Sequence, residues 1–120
     1  MKWEFENDRT IYSQIIDRLR MFIVSGVLAP GEKLKSVREF ASEAGVNPNT
    51  MQKALTELEK QGLVYTNSTS GRFVTEDEEI ISNTRNEFAQ ARINDFFSDM
   101  GKLGFSESDI KSIIDRRNVQ

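Results

Sequence analysis

Three stretches of this chain repeat their apolar residues at helical spacing, and then the period drops to two. Ile11, Ile15, Leu19, Phe22 and Ile23, widened by Tyr12 and Ile16, predict a helix over 11–24 that Thr10 can cap and Ser25-Gly26 ends. Val37, Phe40, Ala41 and Ala44 fall at i, i+3, i+4 and i+7, and so do Met51, Ala54, Leu55 and Leu58. Ser36 with Glu39 is a capping box that starts the first of these two at Val37. Gly45 ends it, because glycine takes a left-handed conformation without steric cost. Asn47 as N-cap and Pro48 at the first helical position start the other, and Gly62 closes it. Ahead of the pair, Ala29-Pro30-Gly31-Glu32 matches a type II turn and Lys33-Leu34-Lys35 leads in. Trp3 and Phe5, alternating with Glu4 and Glu6, form a short extended lead able to pack on the domain.

Two helices joined by so short a turn must cross steeply. The crossing needs a small residue where the backbones approach and a glycine in the turn, and Ala41 and Gly45 supply them. The pattern is that of a helix-turn-helix. On its second helix Asn49, Lys53, Thr56 and Lys60 point away from the apolar stripe, with Gln52 and Glu57 on the flanks. Asn49, Gln52, Lys53 and Thr56 gather in the N-terminal half, the part that enters the major groove in such motifs. Asn and Gln can bond adenine bidentately, and Lys can reach guanine or a phosphate. On an isolated helix these would be an ordinary solvated face; within a helix-turn-helix they point to DNA.

After Gly62, Leu63-Val64-Tyr65-Thr66 and Arg72-Phe73-Val74-Thr75 flank the polar tip Asn67-Ser68-Thr69-Ser70-Gly71, which predicts a β-hairpin. Three helices and a hairpin make a winged helix. Gly71 permits close approach to a DNA backbone and Arg72 can meet a phosphate; the alternative is a hairpin that only covers the core. Thr75 can then cap a helix whose acidic start, Glu76 to Glu79, suits the positive dipole end, and which runs to about Lys102 before Gly104. Ser106 and Asp109 form a second capping box for a last helix carrying Ile110, Ile113 and Ile114. Two such helices cannot close a core of their own. Their apolar residues, among them Ile81, Phe88, Phe96, Phe97, Met100 and Leu103, are expected to meet a second copy of the chain, the alternative being to fold back onto the winged helix.

Composition narrows the chemistry. Cysteine and histidine are both absent from the 120 residues, which removes disulfides, thiol nucleophiles, histidine acid–base chemistry and Cys/His metal sites. The sequence contains no apolar run long enough to span a membrane and no export signal, so a cytoplasmic setting is expected. The net charge of −3 divides unevenly. Residues 1–75 hold ten Lys/Arg against nine Asp/Glu, and residues 76–120 hold six against ten. The acidic excess therefore lies in the C-terminal part, and the near-neutral first part can bind DNA where its cations cluster.

The run IYSQIIDRLRMFIVSGVLAPGEKLKSVREFASEAGVNPNTMQKALTELEKQGLVYTNSTSGRFV, about Ile11 to Val74, resembles the GntR family of bacterial transcription regulators, in particular its small YtrA-type members. SVREFA, GVNPNT and ALTELEKQGLVYT carry the likeness. The resemblance implies a winged helix, a homodimer and a palindromic operator, usually bound for repression. It further implies that Arg38, the start of the recognition helix and the wing glycine touch DNA. The chain departs from the family pattern in Lys35, where proline is common, and in Ser68-Thr69, where Arg-Gly is common. Gln52 and Lys53 also replace the Ser or Arg often found there.

The expectation is a mainly α protein with a small β-hairpin: a winged helix-turn-helix over 9–76, then a two-helix dimerisation region over 77–120. It would be a sequence-specific DNA-binding regulator rather than an enzyme, a repressor with a palindromic operator; a winged-helix protein-interaction module is the alternative. Lys35, Ser36 and Arg38 would position it on phosphates, with Arg38 also able to reach a base. Asn47, Asn49, Gln52 and Lys53 would read bases or backbone, Thr50 a phosphate, and Gly71 with Arg72 the wing-side backbone. No cofactor or metal is implied. The sequence specifies no small-molecule effector; an inducer would have to bind at the dimer seam or between the halves.

Overall fold

A computed structural model describes residues 1–117. Helix α1 spans Ile11–Val24, α2 Val37–Ala44 and α3 Pro48–Lys60, followed by strands β1 Val64–Asn67 and β2 Gly71–Val74 and by helices α4 Glu78–Lys102 and α5 Glu107–Arg117. The chain forms two compact units, one from Met1 to Arg85 and a second beginning at Asn86.

The N-caps of α1, α2 and α3 are those the sequence foretells. Thr10 accepts from the Ser13 amide, Ser36 and Glu39 exchange both bonds of a capping box, and Asn47 accepts from the Asn49 amide. Gly45 is left-handed at φ 71° and turns α2 into α3. The type II turn is present, with the Glu32 amide bonded to the Ala29 carbonyl at 3.0 Å and Gly31 at φ 79°. At the end of α3 the helix stops at Lys60 with Gln61 as cap, and Gly62 at φ 79° redirects the chain. The Leu63 amide returns to the Leu58 carbonyl and that of Gly62 to Glu59, satisfying two carbonyls the helix end would leave open.

The core of the first unit lies among α1, α2, α3 and the inner face of the hairpin. Ile15, Leu19 and Ile23 of α1, Phe40 and Ala41 of α2, Met51, Ala54, Leu55 and Leu58 of α3, and Leu63, Val64 and Val74 are buried. Gln14, polar and outside the predicted stripe, is buried as well. Its side-chain amide donates to the Glu6 and Arg9 carbonyls and accepts from the Glu6 amide at 2.6 Å. These bonds tie down the N-terminal lead, and Trp3 packs edge-on against Phe22 and Phe40. Ile11 and Tyr12, expected on the buried stripe, stay 40% and 37% exposed.

The wing differs in detail from the expected hairpin. β1 and β2 pair antiparallel from Val64↔Val74 to Asn67↔Gly71, which leaves only Ser68–Ser70 as the tip. Asn67 stabilises that tip by accepting the Thr69 amide on its side chain and the Ser70 amide on its carbonyl. A minimal third strand lies along β2: Lys33 bridges Phe73, and the Leu34 and Val74 amides bond to the Arg72 and Glu32 carbonyls. The cap of α4 is Asp77, not Thr75. Asp77 accepts the Glu79 and Ile80 amides, while Thr75 is buried and accepts from Asp77.

Within the first unit α4 is held by Ile81 and Thr84, both buried, and by Arg85. The Arg85 guanidinium donates twice to the Val24 carbonyl, at 3.1 and 2.9 Å, closing the C-terminal end of α1. In the second unit the Ser106–Asp109 capping box starts α5 as expected. The Ser106 amide and hydroxyl beside Asp109 hold its carboxyl below the usual carboxylate range. No described helix is long and apolar enough to cross a membrane.

Candidate nucleic-acid interface

The second helix of the helix-turn-helix presents its polar face to solvent. Asn47, Asn49, Gln52, Lys53 and Thr56 are exposed and Thr50 is half-buried, as a recognition face requires. The Asn47 side-chain oxygen Oδ1 is committed to its capping bond with the Asn49 amide at 2.7 Å, which leaves the side-chain NH2 group to face a partner. Gln52 is steadied by Thr56: its amide donates to the Thr56 hydroxyl at 3.3 Å, and that hydroxyl donates to the Gln52 carbonyl. Lys53 has no ion-pair partner among the described residues, and neither has Arg38 on the outward face of α2.

A second group of the expected residues comes together between the start of α2 and the wing. Lys35, Ser36, Gly71 and Arg72 line one open basin there. Lys33, which the sequence reading passed over, lines it too, and its stem runs across Gly71 so closely that a Cβ there would sit 3.4 Å from Cε. The signal was present: Lys33 and Lys35 alternate around buried Leu34, as strand residues do. Ser36 accepts the Glu39 amide, so its hydroxyl proton remains available to an acceptor such as a phosphate.

Two of these cations are not free. Lys35 is paired with Glu43 at 2.5 Å, and Arg72 donates from Nε to Glu59 at 2.6 Å. Thr66 of β1 donates to the same Glu59 oxygen at 2.7 Å, so one carboxylate of α3 ties both strands of the wing to the recognition helix. The Arg72 hydrogen bond, with that of Thr66, holds the Glu59 carboxyl below its ordinary value, and the Lys35 hydrogen bond does the same for Glu43. Arg72, expected to meet a phosphate, is thus engaged within its own chain. Glu59 and Arg72 are 13 residues apart, and no local spacing announces such a pair.

Of the residues expected at a dimer seam, Ile81 is only 5% exposed and belongs to the core of the first unit. Phe88, Phe97 and Met100 are half-buried, whereas Phe96 and Leu103 are 42% and 73% exposed. Ile93, Phe105 and Ile114 are exposed as well.

Three helices, a crossing with a left-handed glycine, a wing and an unencumbered polar face on the second helix of the motif define a winged helix-turn-helix protein. The sequence pattern of the family described as bacterial regulatory proteins, gntR family, matches residues 11–74. The chain belongs to that family, and is a DNA-binding transcription regulator. It is 35% identical over 107 residues to the HTH-type transcriptional regulator YhcF of Bacillus subtilis, covering 89% of this chain and 88% of that one. To the HTH-type transcriptional repressor YtrA of the same organism it is 42% identical over 67 residues, 56% of this chain and 52% of the relative. A GntR family transcriptional regulator from Listeria monocytogenes superposes with a TM-score of 0.82 at 37% identity, covering 93% of this chain and 98% of that structure. The DNA-binding domain of AraR in complex with an operator superposes with a TM-score of 0.53 at 27% identity, over 60% of this chain and 93% of that one.

Proposed function

We propose that this regulator represses transcription as a homodimer, each winged helix taking one half of a palindromic operator. The observation that carries the reading is the free polar face of α3, with Lys53 and Arg38 exposed and without ion-pair partners beside it among the described residues. Asn47, Asn49, Gln52 and Lys53 face base edges or the adjoining backbone, and Thr50 a phosphate. Arg38, Ser36 and Lys33 hold the flanking phosphates, Lys35 adds to them once it leaves Glu43, and Gly71 lets the wing approach closely. Such contacts divide the labour: phosphates set position and the α3 side chains set sequence. The second unit, from Phe88 onward, supplies the dimer seam, while the first turns of α4 up to Arg85 stay with the winged helix-turn-helix. Acting on chromosomal DNA, the protein works in the cytoplasm, and its relatives are regulators rather than enzymes.

The test is fluorescence anisotropy at fixed salt with a duplex from the protein's own promoter region and a shuffled duplex of equal composition. The native duplex binds more tightly. Lys53→Ala and Arg38→Ala each weaken that binding by about 1–3 kcal/mol where a base contact is lost, with thermal unfolding unchanged. Equal binding of the two duplexes, or retained affinity in both variants, sinks the assignment.

A further inference from the structure

The cations around the wing fall into two kinds. Arg38, Lys53 and Lys33 have no ion-pair partner among the described residues, whereas Lys35 and Arg72 are each bonded to a carboxylate of their own chain. Both clamped cations line the basin between α2 and the wing, and the carboxylates come from the two helices of the helix-turn-helix, Glu43 from α2 and Glu59 from α3. The arrangement around Glu59 is the more developed. Its Oε1 receives Arg72 Nε at 2.6 Å and the Thr66 hydroxyl at 2.7 Å. The Arg72 side chain keeps 21% of its exposure and Glu59 30%. The pair is therefore reachable by an incoming phosphate rather than sealed in the core.

We propose that Glu59 is an intramolecular counter-ion that competes with DNA phosphate for Arg72 and so limits the affinity and salt dependence of binding. A phosphate entering the basin offers Arg72 what the carboxylate offers, an anionic acceptor. Glu59 takes the Nε proton and neutralises the guanidinium, so a phosphate that meets only the remaining Nη donors is held less strongly. While Glu59 wins, Arg72 releases no counterion on binding, and the salt slope lacks its share. Glu59 also holds Thr66, so it positions the wing through the same oxygen. It acts on DNA through Arg72 and is a positioning residue. The inference rests on the DNA-binding reading above.

The experiment uses the full chain and a fluorescein-labelled mixed-sequence duplex, because phosphate contacts are read without an operator. Dissociation constants are measured across a salt series for wild type, Glu59→Gln, Arg72→Ala and the double variant. Glutamine keeps a carbonyl oxygen for Thr66 and Arg72 but surrenders the charge, so the wing stays in place. Glu59→Gln tightens binding by about two- to fivefold, the range of one exposed charge pair, and steepens the salt slope by about 0.9, one further phosphate. In the Arg72→Ala background the same change brings no gain. Unchanged or weaker binding by Glu59→Gln overturns the proposal. So does a gain that persists without Arg72, since that is the plain removal of a negative charge near DNA. If Arg38→Ala and Lys53→Ala leave binding intact in the same assay, it is the interface itself that fails, and the two failures are told apart.

Discussion

Gly45 and Gly62 share a left-handed backbone but not a neighbourhood. A Cβ on Gly45 would meet nothing within 4 Å, whereas one on Gly62 would lie 3.1 Å from Cδ1 of Ile80. Gly45→Ala therefore carries the backbone penalty alone, about 1–2 kcal/mol. Gly62→Ala carries that and displaces Ile80, so it is the less stable of the two in urea unfolding. The carboxylates give a second prediction. Glu43 and Glu59 have lowered values in the folded chain, so the stability they contribute is present above their ordinary value of 4.5 and is lost as pH falls through the lower folded value. Glu59→Gln should flatten the dependence of the unfolding midpoint on pH below 4.5 while leaving that of Glu43. Residues whose partners are near in sequence were legible: Ser36 with Glu39, Asn47 with Asn49, Ser106 with Asp109. Glu59 with Arg72 and Gln14 with Glu6 were not, because each bond depends on the fold bringing separate segments together.

Helix bounds were readable for the same reason. A cap is a local bargain between a side chain and an amide two or three residues on, and α1, α2 and α3 begin where Thr10, Ser36 and Asn47 place them. The exception is the start of α4. Thr75 and Asp77 are both competent caps, and the sequence does not tell which one is drawn into the core; Thr75 is buried beside the hairpin, and Asp77 is left to cap. The third strand is a single bridge at Lys33, and the alternation of Lys33 and Lys35 around Leu34 is too short by itself to set that segment apart from a loop. Arg85 is the element-level contact with the clearest consequence. Its two bonds to the Val24 carbonyl satisfy an acceptor at the end of α1 that helix geometry leaves open. Arg85→Ala should cost about 1.5–3 kcal/mol, the value of a hydrogen bond that involves a charged group. It should also speed amide exchange in the first turns of α4 while leaving α3 protected. Lys at the same position restores less, since an ammonium cannot offer two fixed parallel donors.

For the whole molecule, the question is what covers the apolar residues beyond Asn86. Phe96 and Ile93 on α4, Leu103 just past its end, and Phe105 and Ile114 beyond are all exposed within the second unit. So much large apolar surface is seldom left to water on a lone chain, and an isologous pairing of two copies covers it with a single contact. Ile81 is expected on this seam when the whole of 77–120 is taken as the dimerisation region; the structure gives its part of α4 to the first unit, where Ile81 is buried. Substitutions separate the two roles. Phe96→Ser with Leu103→Asp should convert a sedimenting dimer to monomers at unchanged thermal stability of the winged helix, and should weaken binding to a two-half-site duplex far more than to a single half-site. Ile81→Ala removes a core side chain and should lower the unfolding free energy by about 2–5 kcal/mol with the folded fraction still sedimenting as a dimer. A double variant that remains dimeric would move the seam elsewhere on the chain. An Ile81→Ala protein that stays fully stable but dissociates would return that residue to the interface.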